Sequence, residues 1–239
     1  MCVAAIAFRA HPRWRLVVIG NRDEFHERPT APLARWRADL VPGGVIAGRD
    51  LQAGGTWLGA AENGRVALVT NLRVDGYPLP HLASRGALVT DWLAGREPAA
   101  PETMNPFNLF MADAGAAWHL TNHPEVRRTP LAPGIHGLSN GPHDQPWAKT
   151  RALEAALARW LAEDSADPAP LFAALADDVE LAGPGPEPRF SPVFIRNPLY
   201  GTRCSTVVLI DAEGAGRISE RRFDAAGRTT GESNLTFST

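Results

Sequence analysis

Cysteine is almost absent from this chain. Only Cys2 and Cys204 occur among 239 residues, which excludes a disulfide scaffold and suits a reducing compartment, so a cytoplasmic location is expected. A single bridge between those two is the one pairing left open. Long apolar runs are missing as well. Stretches such as Val207 to Ile210 are strand-sized, far short of the roughly 20 residues needed to cross a bilayer. The N-terminus lacks the apolar core of a cleaved export signal, because Arg9, Arg13 and Arg15 interrupt it. There is no basic tract either. With a net charge of -2, the scattered basic residues leave no electrostatic footprint for nucleic acid. Histidines are dispersed, and His119 and His123, the one close pair, flank Asn122 and Pro124 in a turn-like segment rather than a ligand-bearing helix, so a metal site is not expected.

What is present is ordinary globular material, with 44% hydrophobic and 21% charged residues. The length sits at the upper end of what one core serves, so a single domain over residues 1–239 is expected. Val3 to Phe8 and Arg15 to Ile19 are β-prone and joined through His11-Pro12-Arg13, a hairpin that begins beside Cys2. From Gly20 to Asp39, and on through Gly43-Gly44 and Gly54-Gly55, turn-forming residues predict a long loop region. Thr56 to Ala60 and Arg65 to Asn71 are the next strands, around a tight Glu62-Asn63-Gly64 turn, so that a meander builds up.

Helical spacing then takes over. Leu88, Val89, Trp92 and Leu93 predict a helix capped by Ser84 and ended by Gly95. Strand character returns over Phe107 to Ala112 and Ala116 to Thr121. Trp147 to Glu163 is the clearest helix, with Leu153, Leu157, Trp160 and Leu161 on one stripe, and Asp167 to Leu181 predicts a second, broken by Gly183-Pro184-Gly185-Pro186. Thr206 to Asp211 and Arg217 to Phe223 close the chain as a hairpin. Strands at both ends with helices between them indicate an α+β fold of helical layers against sheets. The seven tryptophans fit core and pocket walls.

Cys2 carries the first chemical suggestion. Aminopeptidase removal of Met1 would leave its thiol beside a free α-amine with a reference pKa of roughly 7.7 to 8.0, a base that serves a thiol nucleophile without a histidine. Second-position cysteines also occur without function. Asn21-Arg22-Asp23-Glu24 follows the second strand, where the hairpin brings it back towards Cys2. Four polar residues there also suit a solvated turn, but a cation favours thiolate and a carboxylate can hold an α-ammonium group.

Six motifs in order resemble one family along the whole chain: Cys2, Asn21-Arg22-Asp23-Glu24, Gly55-Thr56-Trp57-Leu58-Gly59, Thr70-Asn71-Leu72-Arg73, Leu138-Ser139-Asn140-Gly141 and Gly201-Thr202-Arg203-Cys204-Ser205-Thr206. This pattern resembles the NRDE family, also called the transport and Golgi organisation family. The resemblance implies a four-layer αββα sandwich of the N-terminal-nucleophile (Ntn) hydrolase type. It leaves activity open, with haem trafficking and lipid or acyl-coenzyme A metabolism both implied. More distantly the layout is similar to choloylglycine hydrolases and penicillin V acylases, which cleave amides with an N-terminal cysteine. That likeness implies Asn71 and Asn140 as oxyanion donors and Arg203 as the late arginine, which could hold a substrate carboxylate. One such donor is worth about 2.7 to 4 kcal/mol in the transition state. Asn140 before Gly141-Pro142 also fits a turn-shaping role, and Arg203 a place on a surface strand. Those enzymes separate the early arginine and aspartate by two residues. Here Arg22 and Asp23 are adjacent, and adjacent strand residues face opposite ways, so only one is expected to reach Cys2 unless a bulge intervenes.

Two readings follow. The first is an Ntn-type cysteine hydrolase or acyl transferase for a linear amide or thioester, requiring no cofactor, with Cys2 as nucleophile and Arg22, Asp23, Asn71, Asn140 and Arg203 around it. The alternative is a non-catalytic carrier that uses the same pocket for haem or a lipid-like ligand. A haem needs only one axial residue and leaves no spacing signature, so His26, His119, His136 and His143 all stand as candidates.

Overall fold

The fold is described from a computed structural model that places residues 2–37 and 44–239. Met1, Asp39 and Gly43 lie outside the described residues. Two antiparallel sheets pack face to face. The first runs β10-β1-β2-β11-β12-β13, and the second is an unbroken meander, β3-β4-β5-β6-β7-β8-β9. In chain order the strands are β1 Val3–Phe8, β2 Trp14–Phe25, β3 Thr30–Arg35, β4 Val45–Asp50, β5 Leu58–Ala61, β6 Val66–Asn71, β7 Phe107–Ala112, β8 Ala117–Thr121, β9 Arg127–Pro130, β10 Gly134–Leu138, β11 Tyr200–Asp211, β12 Ala215–Phe223 and β13 Thr229–Ser238. Helix α1 is Gly86–Leu93, α2 is Ala148–Ala162 and α3 is Ala169–Leu175.

The four layers follow from strands that are apolar on both faces. In β1 the residues Ala4, Ile6 and Phe8 enter the core between the sheets, while Val3, Ala5 and Ala7 pack under α2 and α3 with Leu153, Leu157, Trp160 and Leu171. A strand covered on both sides reads as a continuous apolar run rather than an alternation. The same holds in β7, whose Phe110 faces the first sheet while Phe107, Leu109 and Met111 pack with Leu88, Trp92 and Leu93 of α1. Helices α2 and α3 therefore cover the six-stranded sheet and α1 covers the seven-stranded one, giving the αββα order.

Several sequence expectations are corrected. The span from Gly20 through Gly54-Gly55 is not one loop region: β2 continues to Phe25, β3 follows at Thr30 and β4 runs Val45–Asp50. Strands β9, β10 and β13 were not anticipated. β13 is a polar edge strand, with only Phe237 buried along its length, so no apolar period announces it. α3 stops at Leu175, six residues early, where Asp177 and Asp178 would meet the negative end of the helix dipole. Ser84 makes no side-chain cap to α1, which instead begins at Gly86. A Cβ on Gly55 would lie 2.6 Å from the Gly86 carbonyl carbon, so close backbone approach fixes that helix start.

The long β2–β11 ladder positions the site. Gly201 pairs with Glu24, Thr202 with Asp23, Cys204 with Arg22 and Ser205 with Asn21, with a register shift that leaves Arg203 bulged. Asn21 donates through Nδ2 to the carbonyls of Leu175 (2.8 Å) and Val193 (2.9 Å), and its Oδ1 accepts from the Ser205 hydroxyl at 2.6 Å. It pins the end of α3 and the 193 segment to the first sheet. Asn21→Ala would strand buried carbonyls, at about 1 to 3 kcal/mol per lost partner, and is expected to lower the melting temperature sharply. Glu24, half-buried in a loose 3.8 Å pair with Arg28, belongs with surface ion pairs worth up to about 1 kcal/mol. Glu24→Ala should melt close to wild type, and equal shifts for the two variants would contradict this division.

Candidate active site

Cys2 lies just beyond the β1–β2 ladder, whose last pair is Val3 with Asn21. It is a free thiol, as is the buried Cys204, so no bridge joins them. Being past the paired edge, Cys2 is approached by both neighbours on β2, and Arg22 and Asp23 wall the same cavity of about 110 Å³. Two adjacent residues thus reach one cysteine without a bulge in their own strand. The bulge lies opposite, at Arg203. Burial pushes the Cys2 thiol above its ordinary value, and the Asp23 charge adds to this, while the Asp23 backbone N–H and Arg22 pull the other way.

Alternation still separates the polar quartet. Arg22 points towards the second sheet, where Nη1 donates to Thr30 Oγ1 at 3.1 Å, Nη2 lies 3.8 Å from Asp50 Oδ2, and the guanidinium sits 4.4 Å from the Trp57 ring centre. Asp50 is also held by Arg28 at 2.8 Å, so a chain of charges runs Arg22, Asp50, Arg28, Glu24. Asp23 turns towards the helical layer instead. Its Oδ1 accepts from Thr202 Oγ1 at 2.7 Å and its carbonyl accepts from Tyr200 at 2.7 Å. Among the described residues neither Arg22 and Glu24 nor Asn21 and Asp23 bond the backbone of the turn from His26 to Pro29 through their side chains. Asn21 instead bonds backbone far along the chain, on the helical side.

The residue that sequence reading missed most plainly is Lys149. It is the chain's only lysine against 23 arginines, it opens α2, and it is 1% exposed. Its Nζ donates to the Phe190 carbonyl at 3.3 Å. Burial lowers the Lys149 pKa, and the Asp23 and Cys2 charges oppose that shift. Reciprocally, burial raises Asp23, and Lys149 is the foremost charge drawing it back down. A lone lysine among so many arginines was the available signal. Asp50, Arg28 and Arg85 were missed too, because nothing local marks them.

The other expected residues divide. Asn71, at the end of β6, lines the Cys2 cavity. Asn140 is buried on the adjoining loop and donates through Nδ2 to the Asn71 carbonyl at 2.6 Å, and its Oδ1 has no hydrogen-bond partner among the described residues. It therefore braces the end of β6 and lines a second cavity rather than the first. Arg203 lines neither: its Nη1 donates to the carbonyls of Phe25 (2.8 Å) and Arg28 (3.1 Å) and clamps the turn between β2 and β3. A guanidinium so engaged holds backbone rather than a substrate carboxylate.

The second cavity, about 590 Å³, is mostly apolar and meets the first at Asn71 and Arg85. Phe25, Leu72, Tyr77, Phe190 and Leu199 are among its walls. None of the four histidines considered as haem ligands lines either cavity. His26 contacts the Asn197 carbonyl at 2.9 Å and His136 the Ala132 carbonyl at 2.8 Å, while His119 bonds Asn108 at 3.1 Å and stacks on His143 at 4.4 Å. Burial, with help from His143, pushes His119 down to about 3, so it stays neutral. Among the described residues no group of three or more metal-binding side chains gathers, and no helix is long and apolar enough to cross a membrane.

The architecture has counterparts of known structure. The fold is shared with a mutant of the conjugated bile acid hydrolase from Clostridium perfringens, at a TM-score of 0.55 and 8% identity over 98% of this chain and 92% of that one. Penicillin V acylase from Agrobacterium tumefaciens gives 0.50 at 13% identity over 98% and 91%. In sequence, the Bos taurus transport and Golgi organization protein 2 homolog is 33% identical over 264 aligned positions, covering 92% of each chain. The family described as Transport and Golgi organisation 2 matches residues 1–225, and the chain belongs to it.

Proposed function

We propose that this protein is an Ntn-type cysteine hydrolase or acyl transferase acting on a linear amide or thioester, with Cys2 as nucleophile. The observation that carries this is the convergence of Cys2, Arg22, Asp23 and Asn71 on one cavity, in a fold shared with a protein named as a bile acid hydrolase and one named as a penicillin V acylase. Removal of Met1 would free the Cys2 α-amine. Because burial holds the thiol protonated, a base must take its proton as sulfur attacks, and the amine is adjacent by covalent structure. The S–C bond forms while the carbonyl oxygen gains charge, which Asn71 stabilises from the end of β6. Collapse breaks the bond to the leaving nitrogen or sulfur, which departs with the proton held by the amine. Water, or an acceptor amine or alcohol, then opens the thioester. Asp23, steadied by Thr202 and faced by Lys149, receives the transient ammonium. Arg22 favours negative charge on sulfur, and Asn140 acts by bracing Asn71.

A second reading, a carrier of haem or a lipid-like ligand, draws on the volume and apolar character of the larger cavity. Cys2→Ala separates the two. On a panel of acyl amides and thioesters the variant is expected to lose turnover with its melting temperature nearly unchanged, on protein whose intact mass shows Met1 gone. Unchanged turnover, or a native mass that retains Met1, overturns the hydrolase reading, while loss of haem or lipid binding without any turnover favours the carrier.

The raised thiol gives a pH prediction. Iodoacetamide labelling of Cys2, followed by peptide mass mapping, should accelerate with pH through and beyond the ordinary thiol value of 9.0. A rate that levels off below pH 8 would mean a depressed thiol and remove the need for the amine.

A further inference from the structure

Five arginines line the two cavities: Arg22 and Arg28 in the first, Arg73 and Arg189 in the second, and Arg85 in both. Three have carboxylate partners and a fourth is exposed. Arg22 and Arg28 share Asp50, Arg73 forms a two-bonded pair with Glu187 at 2.8 and 3.0 Å, and Arg189 is exposed beside the Phe190 ring. Arg85 differs. It is half-buried, and among the described residues it has no carboxylate partner and its one side-chain hydrogen bond is a long 3.4 Å contact from Nη1 to the Pro106 carbonyl. A guanidinium carries five donors, so most of this fork is unspent. Desolvation lowers the Arg85 pKa, with Cys2 and Glu24 close enough to act against it.

The charges around it set the sign and size of what it would take. The first cavity has three arginines and three acids on its wall, but Glu24 and Asp50 serve Arg22 and Arg28, and Asp23 faces Lys149. One positive charge is left over, on Arg85. The second cavity has three arginines and no acid on its wall. Of the two arginines on these walls that have no carboxylate partner among the described residues, Arg189 is exposed, and only Arg85 is half-buried and reaches both cavities. A single planar fork so placed matches a carboxylate, whereas a phosphate dianion calls for more than one sheltered free cation.

We propose that Arg85 is a specificity-determining residue that receives the carboxylate of an amphipathic monocarboxylate whose apolar body fills the larger cavity. This deepens the hydrolase reading and rests on its cavity, since the carboxylate would sit beside Asn71, within reach of the bond presented to Cys2. It also differs from a role for Arg85 in tuning the thiol, which would have no effect once sulfur is removed.

Binding to the Cys2→Ala chain tests this without any turnover, so it stands or falls separately from the hydrolase reading. Decanoate and decan-1-ol differ in the charged head and are titrated by calorimetry at pH 7.5. A hydrogen-bonded charge contributes about 1.5 to 3 kcal/mol, so decanoate should bind at least about tenfold tighter. Arg85→Gln should abolish that preference while leaving decan-1-ol unchanged, Arg85→Lys should keep part of it, and Arg189→Gln should keep it whole. Equal affinities on the Arg85-intact chain, no binding of either compound, or a preference that survives Arg85→Gln would each overturn the proposal. Should Arg85→Gln fail to fold, the intact-chain ratio and its weakening with added salt decide the matter.

Discussion

Everything at the site depends on one stretch of antiparallel pairing, in which the polar quartet of β2 lies in register against Gly201 to Ser205 of β11. Each member finds its counterpart there. Thr202 holds the Asp23 carboxylate, Ser205 holds the Asn21 amide, Cys204 lies opposite Arg22, and Gly201 leaves room where a Cβ would come within 2.7 Å of the Ile195 carbonyl. The bulge at Arg203 throws its guanidinium outward to clamp the turn after β2. Buried polar groups are tolerable only when satisfied, so neither motif could keep its residues without the other.

That ladder also carries charge into the interior. Asp23 and Lys149 are both almost fully buried, and each offsets the cost of burying the other. Arg22 is treated differently, wedged between the Trp57 ring and Asp50 on the side of the second sheet. The alternation of a β-strand thus splits four consecutive residues between two layers of the sandwich. Cys2 takes contacts from both because it stands past the end of the pairing. Two adjacent side chains can face one residue without distortion of their own strand when that residue sits at the sheet's margin.

The same margin explains why two cavities of unlike character meet. The mouth of the sandwich is closed on one side by the end of β6 and the loop at Asn140, tied together by the bond from Asn140 to the Asn71 carbonyl and by Thr70 donating to the Ser139 carbonyl at 2.6 Å. Beyond them Phe25 at the end of β2 and Phe190 in the segment before β11 are among the walls of an apolar space. Asn71 and Arg85 stand where the polar and apolar volumes join.

Local pattern alone was enough for several elements. Val3 to Phe8, Phe107 to Ala112 and the long helix with Leu153, Leu157, Trp160 and Leu161 all appear where composition and period placed them, because each buries a contiguous apolar face. The motifs around Cys2 were legible in order. Their roles were not: Arg203 clamps a turn and Asn140 braces a neighbour, since what a polar side chain does depends on which atoms face it across the fold. Lys149 shows this most clearly. Nothing within its helix sets it apart from an ordinary solvated lysine, and only the arrival of Asp23 from a strand more than a hundred residues earlier makes its burial tolerable. Strands such as β13 escaped for a related reason, since an edge strand with little to bury carries almost no period. Apolar periodicity is a property of the chain, whereas electrostatic pairing and edge position belong to the assembled sheets.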